Sequence, residues 1–126
     1  MPLTNAGRDF YAQVATGATS NLFNNANANI GVGDGTTAFD VGQTNLQGTN
    51  KLRKAMDPSY PTTTGNQQVY KATFGPDEAN FAWQEWGVFN AASAGVMQNR
   101  VVEYNGTKLS GQTWIFQVTL TINIGT

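Results

Sequence analysis

The segment QTWIFQVTLTINI, residues 112–124, constrains the fold of this chain more than any other stretch. Trp114, Phe116, Val118, Leu120, Ile122 and Ile124 alternate with Thr113, Ile115, Gln117, Thr119, Thr121 and Asn123. That period of two puts one row in a core and the other in water, the pattern of an antiparallel strand with one solvated face. At about 3.3 Å per residue the segment spans roughly 40 Å, longer than a common strand. Such a strand is either bent or exposed at a sheet edge. Its open face, rich in Thr and Asn, suits an edge that pairs with another subunit.

The rest of the chain reads as further short β elements behind a single helix. In LTNAGRDFYAQVATG, residues 3–17, Thr4 or Asn5 is a helix start and Gly17 a stop, with Phe10 and Val14 on one face and Leu3 placed to staple the first turn. An amphipathic helix packed on the chain's own sheet is expected, with a docking arm as the alternative. NIGVGDG opens as a strand with Ile30 and Val32 on one face, and residues 36–50 read as loop with short extended pieces. DPSYPTTTGN, residues 57–66, carries two prolines and a glycine and reads as a mobile loop. QQVYKATF (67–74) is β-rich, GPDEAN (75–80) breaks it, and Gly87 and Val88 favour a strand in the second half of FAWQEWGVFN (81–90). GVMQNRVVEYNGT (95–107) is a strand leading into an Asn105-Gly106 turn. No repeat of fixed period occurs, against a solenoid or a collagen-like shaft. The expected fold is mainly β (β-rich α+β), an antiparallel sheet or sandwich with one short N-terminal helix, forming a single domain over residues 1–126.

Composition narrows the chemistry. Neither Cys nor His occurs, which removes thiol nucleophiles, disulfides, thiolate metal sites and the Ser-His-Asp triad. No metal or other cofactor is expected, because the eight acids do not fall into calcium-loop spacing; GDGTTAFD (33–40) comes nearest. GVGDGTT (31–37) looks like a phosphate loop, but Thr36 stands where a dinucleotide fingerprint needs its third glycine, and the nearest downstream lysine is Lys51. It reads as a turn. Charged residues are only 12% of the chain and net charge is −1, so free nucleic acid and anionic membranes are not expected partners. With no long apolar run and no basic-then-apolar leader, neither a membrane span nor a secretion signal is expected. A surface of Asn, Thr, Gln and Ser suits protein contacts that desolvate little charge.

Few residues remain as candidates for function. Glu85 and Glu103 form a conceivable carboxylate pair for glycoside hydrolysis, but an enzyme is not expected. Trp83 and Trp86 are read first as core and second as a sugar-stacking platform. Glu85, between them, either faces solvent or pairs with Arg100 or Lys71. Lys51, Arg53 and Lys54 hold three of the seven basic residues. In extended backbone Lys51 and Arg53 share a face while Lys54 points away, so the group is either a solvated face or a contact patch for acidic groups on a partner surface or a neighbouring subunit, with Asp57 limiting its charge.

The stretches LTNAGRDFYAQ, FNNANANIGVGDGTTAF, LQGTNKLRKAMD, ANFAWQEWGVFNA and MQNRVVE resemble small virion structural proteins of tailed bacteriophages. TNAG and IGVGDGTTA also echo the first domain of phage tail-collar fibre proteins, although no fibre is expected to follow here. The resemblance implies a non-enzymatic capsid decoration, or cement, protein. Such a protein is made in the host cytoplasm, sits on the outer surface of the mature head, binds the major capsid protein lattice and commonly forms trimers at threefold positions. A tail or fibre-attachment protein is the alternative, and a carbohydrate-binding module a more distant one.

Overall fold

In the computed structural model, which describes residues 3–123, two antiparallel sheets face each other across one apolar layer, with a helix at the side. The elements in chain order are α1 (Asn5–Ala15), β1 (Asn29–Gly33), β2 (Lys51–Ala55), β3 (Thr62–Thr64), β4 (Gln67–Phe74), β5 (Glu85–Phe89), β6 (Met97–Val102) and β7 (Trp114–Thr121). One sheet has the order β2-β1-β5-β6 and the other β3-β4-β7. The mainly β fold with one short N-terminal helix is therefore as expected from the sequence.

Alternation places the core. Ile30 and Val32 of β1 and Trp86 and Val88 of β5 meet Tyr70, Ala72 and Phe74 of β4 and Val118 and Leu120 of β7. Trp83 lies at the centre, packed edge-to-face on Phe74, Trp114 and Phe116 with ring centroids 4.8–5.4 Å apart. The outer face of the four-stranded sheet is covered too, by the 34–50 loop, whose Leu46 packs on Phe89 and Met97. β1 and β5 are consequently buried along their whole length.

The helix begins where Thr4 caps it, its Oγ1 accepting from the Gly7 N–H at 2.9 Å. Gly7 lies so close to the Gln98 carbonyl that an added methyl group would collide with it, and this lets α1 rest against β6. Phe10 is buried against Phe23. Leu3, expected to staple the helix, makes an isolated antiparallel bridge to Asn99, and Thr4 N–H donates to the Gln98 carbonyl at 3.0 Å. Residues 3 and 4 thus cover part of the β6 edge.

Three expectations change. The 57–66 segment is not simply a loop, because Thr62–Thr64 pair with Val69, Gln68 and Gln67 as an edge strand that Pro61 precedes. Proline is tolerated there because it stands outside the ladder. The turn expected at Asn105-Gly106 does not form; that segment runs without a turn between β6 and β7, which belong to different sheets. Asn105 N–H donates to the Trp83 carbonyl and Trp83 N–H to the Gly106 carbonyl, both at 2.8 Å, so this segment is claimed by Trp83 while the chain crosses between sheets. Finally, β7 covers Trp114–Thr121 rather than 112–124; Ile124 lies outside the described residues. The shorter strand is at an edge, one of the two alternatives its length posed.

Candidate functional site

Lys51, Arg53 and Lys54 all lie on β2, an edge strand, but the structure gives them three environments. Lys51 is exposed, and its Nζ donates to the Gly48 carbonyl at 3.1 Å. Arg53 shares that face, as the alternation requires. Its guanidinium lies 3.6 Å above the Phe89 ring, and its Nη1 donates to the Ala91 and Ala94 carbonyls at 2.9 and 2.8 Å. Burial lowers the Arg53 pKa from its ordinary value. Lys54 points to the other side, where its Nζ meets Glu78 Oε2 at 2.7 Å. This ion pair, with the Gly75 N–H that Glu78 also accepts, holds the Glu78 carboxyl below the usual range. Asp57, expected to temper the patch, accepts from Thr73 Oγ1 at 2.9 Å.

A cleft of about 250 Å³ lies beside Lys51 and Arg53, between Asn45 and Leu46 on one side and Ser93 and Ala94 on the other. Its chemistry is modest. Lys51 offers an exposed ammonium at the rim, while Arg53 is committed to two carbonyls and a ring. The basic cluster therefore divides into one residue free to meet an acidic group, one that ties the 90–96 loop to the sheet, and one paired at the surface.

The most heavily bonded group is Glu85. Fully buried, its Oε1 accepts from Arg100 Nε at 2.8 Å and from Gln47 N–H at 2.9 Å, and its Oε2 from Gly35 N–H at 3.0 Å and Gly48 N–H at 2.7 Å. Arg100 is equally buried, and its Nη1 reaches Gln43 Oε1 at 3.1 Å. Of the three options for Glu85, pairing with Arg100 is the one adopted. GVGDGTT has its explanation here: Gly33 and Gly35 pass so close to the Glu85 carboxylate that a side chain at either would collide with it. The glycines make room for a buried anion belonging to the protein itself. Asp34, within the same turn, accepts from Asn50 N–H and Nδ2, and the side-chain bond from Asn50 holds its carboxyl below the usual range.

The remaining candidates are also occupied. Glu103 accepts from Trp86 Nε1 at 3.0 Å, whereas Glu85 faces the 34–50 loop, so the two carboxylates serve different neighbours. Trp83 and Trp86 are 1% and 7% exposed, and their indole N–H groups are bonded to Ala79 O and Glu103, which leaves neither with a free face for a sugar. Among the described residues no group of three or more acids could hold a metal ion, and no helix is long and apolar enough to cross a membrane.

Two features were missed from the sequence. Lys108 is buried, its Nζ donating to the Gly75 carbonyl at 2.6 Å and to Asn80 Oδ1 at 2.7 Å. Nothing in its neighbourhood, Asn-Gly-Thr-Lys-Leu, distinguishes it from a surface lysine. A polar network also joins α1 to both sheets: Tyr11 OH bonds Gln98 Oε1, Gln98 Nε2 donates to Tyr70 OH at 3.1 Å, and Tyr70 OH donates to Gln68 Oε1 at 2.8 Å. Burial raises the pKa of both tyrosines.

The fold and these contacts define a two-sheet antiparallel β sandwich whose long loops are pinned by its own buried charges. No protein-family model and no curated protein matches the chain.

Proposed function

We propose that this chain is a non-enzymatic structural protein that binds the outer surface of an assembled bacteriophage head and stabilises it. One observation carries the reading: the charges best placed for chemistry are spent on holding loops in place. Glu85 and Arg100 pin the 34–50 loop, Arg53 the 90–96 loop, and Lys108 the 75–80 turn. Pre-ordered loops lower the entropic cost of binding. The exposed surface is mostly uncharged and polar, so a protein partner can cover it with little desolvation of charge. The likeness of the sequence to phage virion proteins supplies the choice of partner.

The mechanism is linkage. A ligand that binds the assembled shell and not its free subunits opposes disassembly by its binding free energy, and contacts spread over several capsid subunits add through multivalency. Lys51, at the rim of the cleft, is the cation available to an acidic group on the lattice. The test is co-sedimentation of the purified protein with phage heads that lack it, beside isolated subunits of the same capsid. Saturable binding to heads alone is expected; equal affinity for subunits and heads refutes the mechanism.

A further inference from the structure

Sheet edges are sites of unwanted pairing, and proteins blunt them with charge, short length, proline or a covering segment. Three of the four edges here are blunted. β2 carries Lys51, Arg53 and Lys54; β3 has three residues and follows Pro61; β6 is bridged by residues 3 and 4. β7 is the exception, with eight residues and no charged side chain. Its register with β4 continues the Ile122 N–H bond to the Asn66 carbonyl, so the even-numbered residues face β4. The N–H and C=O groups of Ile115, Gln117, Thr119 and Thr121 then point outward, and among the described residues none of them has a hydrogen-bond partner. Alongside this edge Trp114 and Phe116 are only half-buried, and Ile115 is 63% exposed.

We propose that β7 pairs with β7 of a second copy of this chain, antiparallel about a twofold axis, joining two three-stranded sheets into one of six strands. The strand suits itself. Outward backbone groups belong to odd-numbered residues, so a symmetric ladder matches odd with odd and even with even. With Gln117 on the axis, Ile115 lies opposite Thr119 of the second copy, while Phe116 lies beside Val118 and Trp114 beside Leu120. The inner faces stay aligned as one apolar row, and no like charges meet because the strand has none. Any added strand could bond the outward backbone groups, but a second copy also sets one uncharged row against another and covers the half-buried aromatics without burying a charge. The inference is carried by the sheet edge and does not rest on the shell-binding reading.

Analytical ultracentrifugation of the full chain tests it. A concentration-dependent mass of two chains is expected at micromolar protein. Gln117→Lys and Gln117→Glu, each at an exposed position, set like charges against each other across the axis and should each abolish the dimer while far-ultraviolet circular dichroism stays unchanged. An equimolar mixture of the two variants should restore it as a heterodimer. A wild-type monomer, a closed trimer, or a dimer indifferent to both substitutions overturns the proposal.

Discussion

Replacing Glu85 with Gln tests how much of the fold depends on one buried carboxylate. All four groups that surround it are donors: Arg100 Nε and the N–H groups of Gly35, Gln47 and Gly48. Whichever way the Gln amide is turned, its NH2 faces donors, and the Arg100 guanidinium keeps only Gln43 Oε1 as a partner. Breaking a buried ion pair from one side costs about 3–5 kcal/mol because the other charge is left uncompensated. For a domain of this size that lowers Tm by about 10–20 °C. Arg100→Met is not the mirror image. The carboxylate it leaves behind retains three backbone N–H donors, so a smaller cost of about 1–3 kcal/mol is expected. Urea unfolding followed by fluorescence of Trp83, Trp86 and Trp114 measures both. Hydrogen exchange at Gly35, Gln47 and Gly48 should accelerate in the Glu85 variant before the rest of the sheet. Equal costs, or a larger cost for Arg100→Met, refute the assignment of Glu85 as the centre of the network.

Arg53→Ala should cost about 1–3 kcal/mol, because the Ala91 and Ala94 carbonyls lose a charged donor and Phe89 its covering cation; Lys51→Ala should leave the urea midpoint unchanged, and similar midpoints for the two variants would show that Arg53 is no loop tie. Asp34 and Glu78 have carboxyls held below their ordinary values by Asn50 and Lys54. Their contribution is therefore complete above the unfolded carboxylate pKa of about 4 and is lost as pH falls through it and below. The urea midpoint should fall on acidification through that range, and less steeply in Asp34→Asn/Glu78→Gln; an unchanged slope refutes the linkage.

What could be read from the sequence was local. β4 has its observed ends because QQVYKATF is bounded by Gly65-Asn66 and Gly75-Pro76, and α1 starts at Thr4 because a hydroxyl there reaches the N–H of Gly7. Alternation around Lys51, Arg53 and Lys54 gave their faces correctly, but not what stood above those faces. Arg53 meets carbonyls of a loop about forty residues away, and its role depends on β1 lying between β2 and β5 in the sheet. Glu85 offered the same difficulty, since Arg100 and Lys71 were equivalent until the strand order put β6 beside β5. The expected turn had a local cause with a distant override: Asn105-Gly106 has the residues of a tight turn, yet Trp83 supplies the backbone partners.

The strand order also governs how the chain assembles in time. β4 faces Tyr70, Ala72 and Phe74 into the core, but its only neighbours are the three residues of β3 and, about forty residues later, β7. β1 likewise waits some fifty residues for β5. The β1–β5 and β4–β7 ladders both join distant segments, so closure entropy must be met before either forms, which puts folding in the slow, milliseconds-to-seconds regime of β topologies. On the ribosome the second sheet stays unsealed until β7 emerges, and the apolar face of β4 is meanwhile open to other nascent chains. It is β7, the last strand among the described residues, that ends this exposure.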